Sequence, residues 1–163
     1  MLEIRPATID DIKKITDIYN DAIINTVATF DIEPKTIEQQ KKWFRTHGKK
    51  NPILVAILNE NIIGFASLSK YSDKSAYSDT AELSLYIKEE NQGKGYGKIL
   101  MDSIIKEGEK VGIHLVISRI TQGNEKSVYL HKLAGFEHVG IYKEAGKKFG
   151  KLLDVYIMQK LYK

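Results

Sequence analysis

A glycine-rich segment from Gln92 to Lys98, which reads Gln-Gly-Lys-Gly-Tyr-Gly-Lys, is the strongest chemical pattern in the chain. Glycines let a turn gather several backbone N–H groups at the start of a helix, and such a group of donors binds phosphate. The spacing Gly-x-Gly-x-Gly fits neither the nucleoside-triphosphate loop nor the dinucleotide-binding turn. The segment therefore predicts a phosphate site of another kind, or a plain turn between a strand and a helix.

Glu82 is the second candidate for chemistry. It belongs to a predicted strand, residues 81–87, in which Ala81, Leu83, Leu85 and Ile87 alternate with more polar residues. Partial desolvation among apolar neighbours would make the carboxylate a better general base. The alternative is a solvated glutamate on an exposed strand face.

Sequence periodicity predicts the elements that must position these groups. Seven strands are expected, at about residues 2–5, 53–58, 62–68, 81–87, 115–120, 136–142 and 153–161. Four helices are expected: one after a Thr8 cap, one from a Thr36/Gln39 capping box to about residue 47, one from the glycine-rich turn to Gly112, and one from Asn124 to Gly135.

Composition narrows the class of protein. The 163 residues, 42% hydrophobic and 28% charged, are typical of one globular domain over residues 1–163. The longest apolar run, residues 53–58, is far shorter than a membrane span, and the first residues do not resemble a secretory signal. We therefore expect a cytoplasmic protein that does not associate with membranes.

Metal and nucleic-acid binding find no support in the composition. The chain has no cysteine, and its four histidines do not occur at zinc-ligand spacing, so no metal site is expected. The net charge is +4, but the lysines alternate with acidic residues and do not form a basic block. No nucleic-acid partner is predicted.

Three motifs together resemble the acetyl-coenzyme A core of the GNAT superfamily of N-acetyltransferases. They are Gln92-x-x-Gly95-x-Gly97, Asn124-x-x-Ser127 and His131-x-x-x-Gly135-Phe136, in this order after the strand that carries Glu82. Segments of the N-terminal half, among them residues 4–8, 26–34 and 43–44, resemble the phosphinothricin acetyltransferase group. The resemblance implies an α/β (α+β) GNAT-like fold: a mixed, largely antiparallel twisted sheet of about seven strands flanked by about four helices.

The resemblance implies acetyl-CoA as co-substrate. The turn would hold the pyrophosphate through backbone amides, with two lysines available to neutralise charge, and the strand at residues 85–87 would pair with the pantetheine arm. The implied coenzyme-binding residues are Leu85, Tyr86, Ile87, Gln92, Gly93, Lys94, Gly95, Tyr96, Gly97, Lys98 and Asn124. Asn124 would serve equally well as a plain helix cap.

The resemblance also implies catalytic roles. Glu82 would be the general base, and His131 would protonate the departing thiolate, unless His131 is a packed histidine bonded to a carbonyl. The amine would attack the thioester directly, with a strand N–H near Leu85 stabilising the oxyanion. An acyl-enzyme is not expected, because the chain lacks cysteine and a Gly-x-Ser-x-Gly elbow.

The resemblance identifies the acceptor less specifically than it identifies the coenzyme. Phe30, Glu33, Lys74 and Tyr77 are the implied substrate residues, and the group suggests the amine of phosphinothricin, methionine sulfone or methionine sulfoximine. Ser72 and Lys74 stand where the group often has arginines, which would weaken recognition of an acidic substrate. A polyamine, an aminoglycoside or a protein N-terminus are alternative acceptors, and a non-catalytic acyl-CoA-binding module is a third reading. The resemblance also implies a homodimer.

Overall fold

The computed structural model describes residues 1–163, and one seven-stranded sheet runs through them in the order β1-β2-β3-β4-β5-β7-β6. Only β4 and β5 are parallel, and the other neighbouring pairs are antiparallel. The strands are β1 (Leu2–Pro6), β2 (Ile53–Leu58), β3 (Asn61–Lys70), β4 (Thr80–Ile87), β5 (Leu115–Thr121), β6 (Glu137–Lys148) and β7 (Lys151–Leu161). The predicted mixed, largely antiparallel sheet is confirmed.

Four α-helices accompany the sheet, as predicted. They are α1 (Ile12–Asn25), α2 (Ile37–Arg45), α3 (Tyr96–Lys110) and α4 (Glu125–Leu133). The longest, α3, has 15 residues, and no helix combines the length and apolar character that crossing a bilayer requires.

The helices cover both faces of the sheet, which gives two apolar cores. On one face, Leu100, Met101 and Ile104 of α3 pack with Leu83 and Val116 of the central strands. On the other face, the isoleucines of α1 and the aromatic residues of α2 pack against β2 and β3; this cluster includes Ile12, Ile15, Ile18, Trp43, Phe44, Val55 and Phe65. Glu82 and Tyr86 alternate with the buried residues of β4 and therefore point to the α1 side.

The parallel pair in the middle of the sheet is short. The register joins Thr80 to Leu115 and Glu82 to Ile117, and no pairing follows toward the carboxyl ends of β4 and β5. β4 nevertheless stays paired with β3 as far as Ile87, and β5 stays paired with β7 as far as Thr121. The two strands therefore diverge, and a gap opens in the sheet beyond Glu82.

Several boundaries differ from the prediction. A 3-10 turn, Ile9–Asp11, separates Thr8 from α1, and the Thr8 backbone N–H donates to the Asp11 carboxylate at 2.8 Å. The Thr36/Gln39 capping box is confirmed, but α2 ends at Arg45. The largest difference is β6, which was predicted to end near residue 142 and extends to Lys148, because two register shifts interrupt its side-chain alternation.

Candidate active site

A cleft of about 1240 Å³ occupies the gap between β4 and β5. It is bounded by the ends of the two strands, the turn before α3, the first part of α4 and the C-terminal part of α1 with the loop that follows it. Both predicted catalytic residues line it, as do most predicted coenzyme residues and one predicted substrate residue: Glu82, His131, Leu85, Tyr86, Ile87, Gln92, Gly93, Gly95, Gly97, Lys98, Asn124 and Phe30.

The glycine-rich turn is shaped to expose backbone donors. Gly93 and Gly95 have φ angles of +74° and +87°, a region that favours glycine, and Gly95 is the N-cap of α3. No side chain caps this helix, so the first N–H groups of α3 are available to an anion. Gln92 ties the turn to β4, because its Nε2 donates to the carbonyl oxygen of Ile87 at 2.9 Å.

The lysines near the turn differ from the predicted set. The Lys94 ammonium donates to the Glu90 carbonyl and lies outside the cleft lining, and Lys98 is paired with both oxygens of Asp102 at 2.6 Å. Lys88 and Lys126, which sequence reasoning missed, do line the cleft. The basic groups that line the cleft therefore include residues outside the motif itself.

The edge of β4 that faces the gap carries unpaired backbone groups. Lys88 N donates to Ile63 O across the β3–β4 ladder, and antiparallel pairing repeats every second residue. The N–H groups of Leu85 and Ile87 therefore point away from β3 and toward the cleft. This edge can pair with an extended ligand that carries amide groups.

Glu82 has a charged partner that the sequence did not reveal. Arg119 Nε and Nη2 donate to Glu82 Oε2 and Oε1 at 2.5 and 2.8 Å, a two-pronged ion pair at the point where the strands diverge. Arg119 lies two residues beyond Ile117, the register partner of Glu82, so the two side chains form a diagonal cross-strand pair on the same face. The side chain of Arg119 is 56% exposed and that of Glu82 22%.

His131 is held between α4 and β5. Its Nδ1 lies 2.6 Å from the Ser127 carbonyl oxygen, which can only accept, so Nδ1 carries a proton. Burial lowers the pKa of His131, so the ring is neutral and its bare Nε2 accepts from the Ser118 hydroxyl at 2.8 Å. This is the bonding of a packed histidine, and it leaves no free proton for a leaving group. The geometry therefore does not support the predicted acid role.

The acceptor side of the cleft is formed by α1 and the loop after it. Tyr19 donates to Asp31 and is 3.0 Å from the Thr29 hydroxyl, and its ring meets Tyr86 edge-on at 5.3 Å. Burial raises the pKa of Tyr86 to about 12, so this phenol stays protonated at neutral pH. The loop is therefore tied to β4 through aromatic and hydrogen-bonding contacts.

The hairpin of β6 and β7 supports the same loop from the other side. Lys148 is 4% exposed, and its ammonium donates to the Thr29 carbonyl at 2.7 Å. Desolvation lowers the pKa of Lys148, while Asp31 opposes the shift. A Cβ at Gly146 would lie 2.3 Å from the Phe30 ring, so glycine is required for this close approach.

The other predicted residues lie outside the cleft lining. They are Glu33, Lys74, Tyr77, Lys94 and Tyr96, of which Tyr96 packs against the core on the α3 side. The centroid of the Tyr77 ring lies 5.1 Å from that of Tyr71, and the two rings are tilted by 59°. Asn124 lines the cleft at the N-cap of α4, but its side chain makes no capping hydrogen bond. No group of three or more potential metal ligands occurs.

Comparisons with known proteins agree with this geometry. Residues 4–157 match the family model described as an acetyltransferase (GNAT) domain. The chain is 35% identical to phosphinothricin N-acetyltransferase of Streptomyces coelicolor, over 94% of this chain and 92% of the relative. It is also 35% identical to the L-methionine sulfoximine/L-methionine sulfone acetyltransferase of Pseudomonas aeruginosa, over 96% and 92%. A crystal structure of a GNAT superfamily phosphinothricin acetyltransferase from Sinorhizobium meliloti, in complex with acetyl-CoA, superposes with a TM-score of 0.95 at 32% identity, covering 98% of this chain and 88% of that one.

Proposed function

Because the chain belongs to the GNAT acetyltransferase family, we propose that its cleft transfers the acetyl group of acetyl-CoA directly to the primary amine of a small amino-acid-like substrate. The protein is an acetyl-CoA-dependent N-acetyltransferase, and the acceptor and the roles of its residues are what we propose. The proposal rests mainly on one observation. The divergence of β4 and β5 joins a phosphate-binding turn, an unpaired strand edge and Glu82 in one cleft.

In this proposal the coenzyme lies along β4. The amides of the turn from Gln92 to Lys98 hold the pyrophosphate, and Lys88 and Lys126 add positive charge beside it. The pantetheine amides pair with the free edge at Leu85 and Ile87, which brings the thioester toward Glu82. Asn124 contacts the coenzyme from the start of α4.

The chemical step uses two groups of β4. An amine arrives mostly protonated at neutral pH, and the Glu82 carboxylate takes its proton, directly or through a water. The nitrogen lone pair attacks the thioester carbonyl, and the Leu85 N–H stabilises the negative oxygen that forms. The C–S bond then breaks, the nitrogen loses its second proton, and the thiolate becomes the free thiol by taking up a proton.

His131 serves this site as a positioning residue. Its two hydrogen bonds connect α4 to β5 at Ser118, on the wall of the cleft opposite β4. It keeps that wall in place and does not supply the leaving group with a proton. The thiolate takes its proton from solvent or from the protonated Glu82.

The acceptor is a small molecule in this proposal. The two curated relatives described above are named for small amino-acid-like acceptors: phosphinothricin in one, and methionine sulfoximine and methionine sulfone in the other. Phe30 and the anchored loop that carries it wall the acceptor end of the cleft. This wall favours a compact amine over a protein N-terminus, which would need an open groove.

The test is release of free thiol from acetyl-CoA with a panel of amines. We expect release with L-methionine sulfone, L-methionine sulfoximine or phosphinothricin, and the protein adds no background because it has no cysteine. Replacing Glu82→Gln should lower kcat/KM by about 100-fold or more if Glu82 is the base. Glu3→Gln, on an exposed part of β1, is the matched control. No release with any amine would refute the proposed function, and full activity of the Glu82 variant would refute the base.

We also propose that one chain forms a single domain and that two chains form a dimer in the cytoplasm, where acetyl-CoA is available. All seven strands share one sheet, which supports a single domain. Val139 and Ile141 on the edge strand β6 and Leu152 on β7 are large apolar residues exposed to solvent, which supports a partner on this surface. Light scattering should give about twice the mass of one chain, and Leu152→Glu should reduce it. A monomer at all concentrations would refute the dimer.

A further inference from the structure

The ion pair of Glu82 and Arg119 uses only part of the hydrogen-bonding capacity of the guanidinium. The chain has three arginines, and Arg119 is the one that lines the cleft. A guanidinium has five N–H donors, and Glu82 engages only Nε and one hydrogen of Nη2. Both hydrogens of Nη1 point elsewhere, on a side chain that is 56% exposed.

Other cations near the acceptor side are already engaged. Lys148 is buried against the Thr29 carbonyl, Lys35 lies 3.4 Å from Asp31, and Lys143 lies 3.3 Å from Asp154. Arg119 is therefore the exposed cation next to the proposed base, with a planar fork that matches a carboxylate.

We propose that Arg119 binds the carboxylate of an α-amino acid acceptor while Glu82 binds its ammonium group. At neutral pH an α-amino acid carries both charges, separated by one carbon, and can insert between the two side chains. The Glu82–Arg119 ion pair is then exchanged for two new ones, Arg119 with the acceptor carboxylate and Glu82 with the acceptor ammonium. The exchange frees Glu82 from the guanidinium at the moment when it must take up a proton.

This inference rests on the proposed function and names its substrate class. It makes the free carboxylate a requirement, because an acceptor without one leaves Arg119 on Glu82. Amines that lack a carboxylate should therefore react poorly even when their side chains fit the cleft.

Binding and turnover with a matched pair of acceptors test this role. The pair is L-methionine sulfone and its carboxamide, in which a neutral amide of similar size replaces the carboxylate. Calorimetry with the CoA-loaded protein should show at least about tenfold tighter binding of the acid, and kcat/KM should follow. In Arg119→Met the ratio of the affinities for the acid and the carboxamide should fall to near one, mainly because the acid binds more weakly. Arg119→Lys, which keeps the charge without the fork, should be intermediate, and Arg45→Met, exposed and outside the cleft, should behave like the unchanged protein.

The outcomes separate the two proposals. Equal binding of acid and amide by the unchanged protein would overturn the inference, and so would an equal loss of both acceptors in Arg119→Met, which would mean that Arg119 acts only through Glu82. Arg119-dependent binding of the acid without thiol release from any amine would support the carboxylate site and refute the proposed acetyl transfer to this acceptor.

Discussion

Two histidines in different parts of the molecule make the same pair of hydrogen bonds. His131 bonds the carbonyl of Ser127, four residues earlier, through Nδ1 and the hydroxyl of Ser118 through Nε2. His47 bonds the carbonyl of Trp43, also four residues earlier, through Nδ1 and the hydroxyl of Ser69 through Nε2. Each connects the end of a helix to a strand, and burial lowers the pKa of both.

The difference between them is location. His131 is 5% exposed and lines the large cleft, whereas His47 is less buried and lies outside it. Since the same bonding occurs away from the cleft, it is a way of fastening helix to sheet and not a sign of acid catalysis. Deeper burial and a place in the cleft are thus the features that distinguish His131, and substitutions can show whether its place in the cleft gives it a chemical role.

The largest expected difference is in stability. His131→Ala should lower the free energy of unfolding by about 2–4 kcal/mol, because it leaves a cavity and two buried groups without partners. His47→Ala should cost less, because water can reach its partners. Urea unfolding of both variants measures the two losses, and equal losses would show that burial does not separate the two sites.

His131 should also contribute more than His47 to the pH dependence of stability. The unfolded chain protonates His131 near pH 6.5, whereas the folded chain resists protonation until a lower pH. Stability should therefore fall as pH drops below about 6.5, by up to about 1.4 kcal/mol per pH unit for this histidine. His131→Ala should flatten this slope between pH 6.5 and 5 more than His47→Ala does. Unchanged slopes in both variants would mean that neither ring stays neutral because of folding.

The serine partners should give a smaller effect. Ser118→Ala should cost about 1 kcal/mol, the net contribution of one hydrogen bond, because the buried Nε2 of His131 would lose its donor. Ser69→Ala should cost less, since His47 is more open to water. Thermal unfolding of the two variants is the measurement, and a neutral Ser118→Ala would place another donor at Nε2.

The smallest expected effect is on catalysis. Where the variants remain folded, His131→Ala should lower kcat by less than about tenfold, since in the proposed mechanism the residue positions β5 and donates no proton. His47→Ala should leave kcat unchanged. A loss of about 100-fold or more in folded His131→Ala, with the alkaline limb of the pH–rate profile removed, would restore the acid role.

The sequence correctly predicted those elements around the cleft whose structure depends on local pattern. The glycine-rich turn, the strand that carries Glu82 and the Thr36 capping box depend on neighbours within a few residues, and the structure has each of them. The β6–β7 hairpin was predicted less well, because Gly140, Gly146 and two register shifts hide its alternation. Its length matters, since the unpredicted part contains Lys148.

Contacts between distant elements could not be predicted. Arg119 is 37 residues from Glu82, and their pairing depends on the register of β4 and β5, which no local pattern specifies. The same reason explains why Glu33, Lys74 and Tyr77, named by family resemblance, lie outside the cleft while Arg119 lies in it. Family resemblance can assign a role to a residue of the right type. It cannot identify the charged partner of Glu82, because that partner depends on how the strands lie in the folded protein.

The bond between Lys148 and Thr29 joins residues 119 positions apart. During synthesis the chain leaves the ribosome from its N-terminus, so the loop with Phe30 emerges long before the strand that anchors it. The cleft as a whole also waits for later strands, because β4 pairs with β5 and α3 packs against Val116 and Met158. A truncated or stalled chain that lacks the last hairpin would therefore lose both the anchor of the Phe30 loop and the strand that pairs with β5.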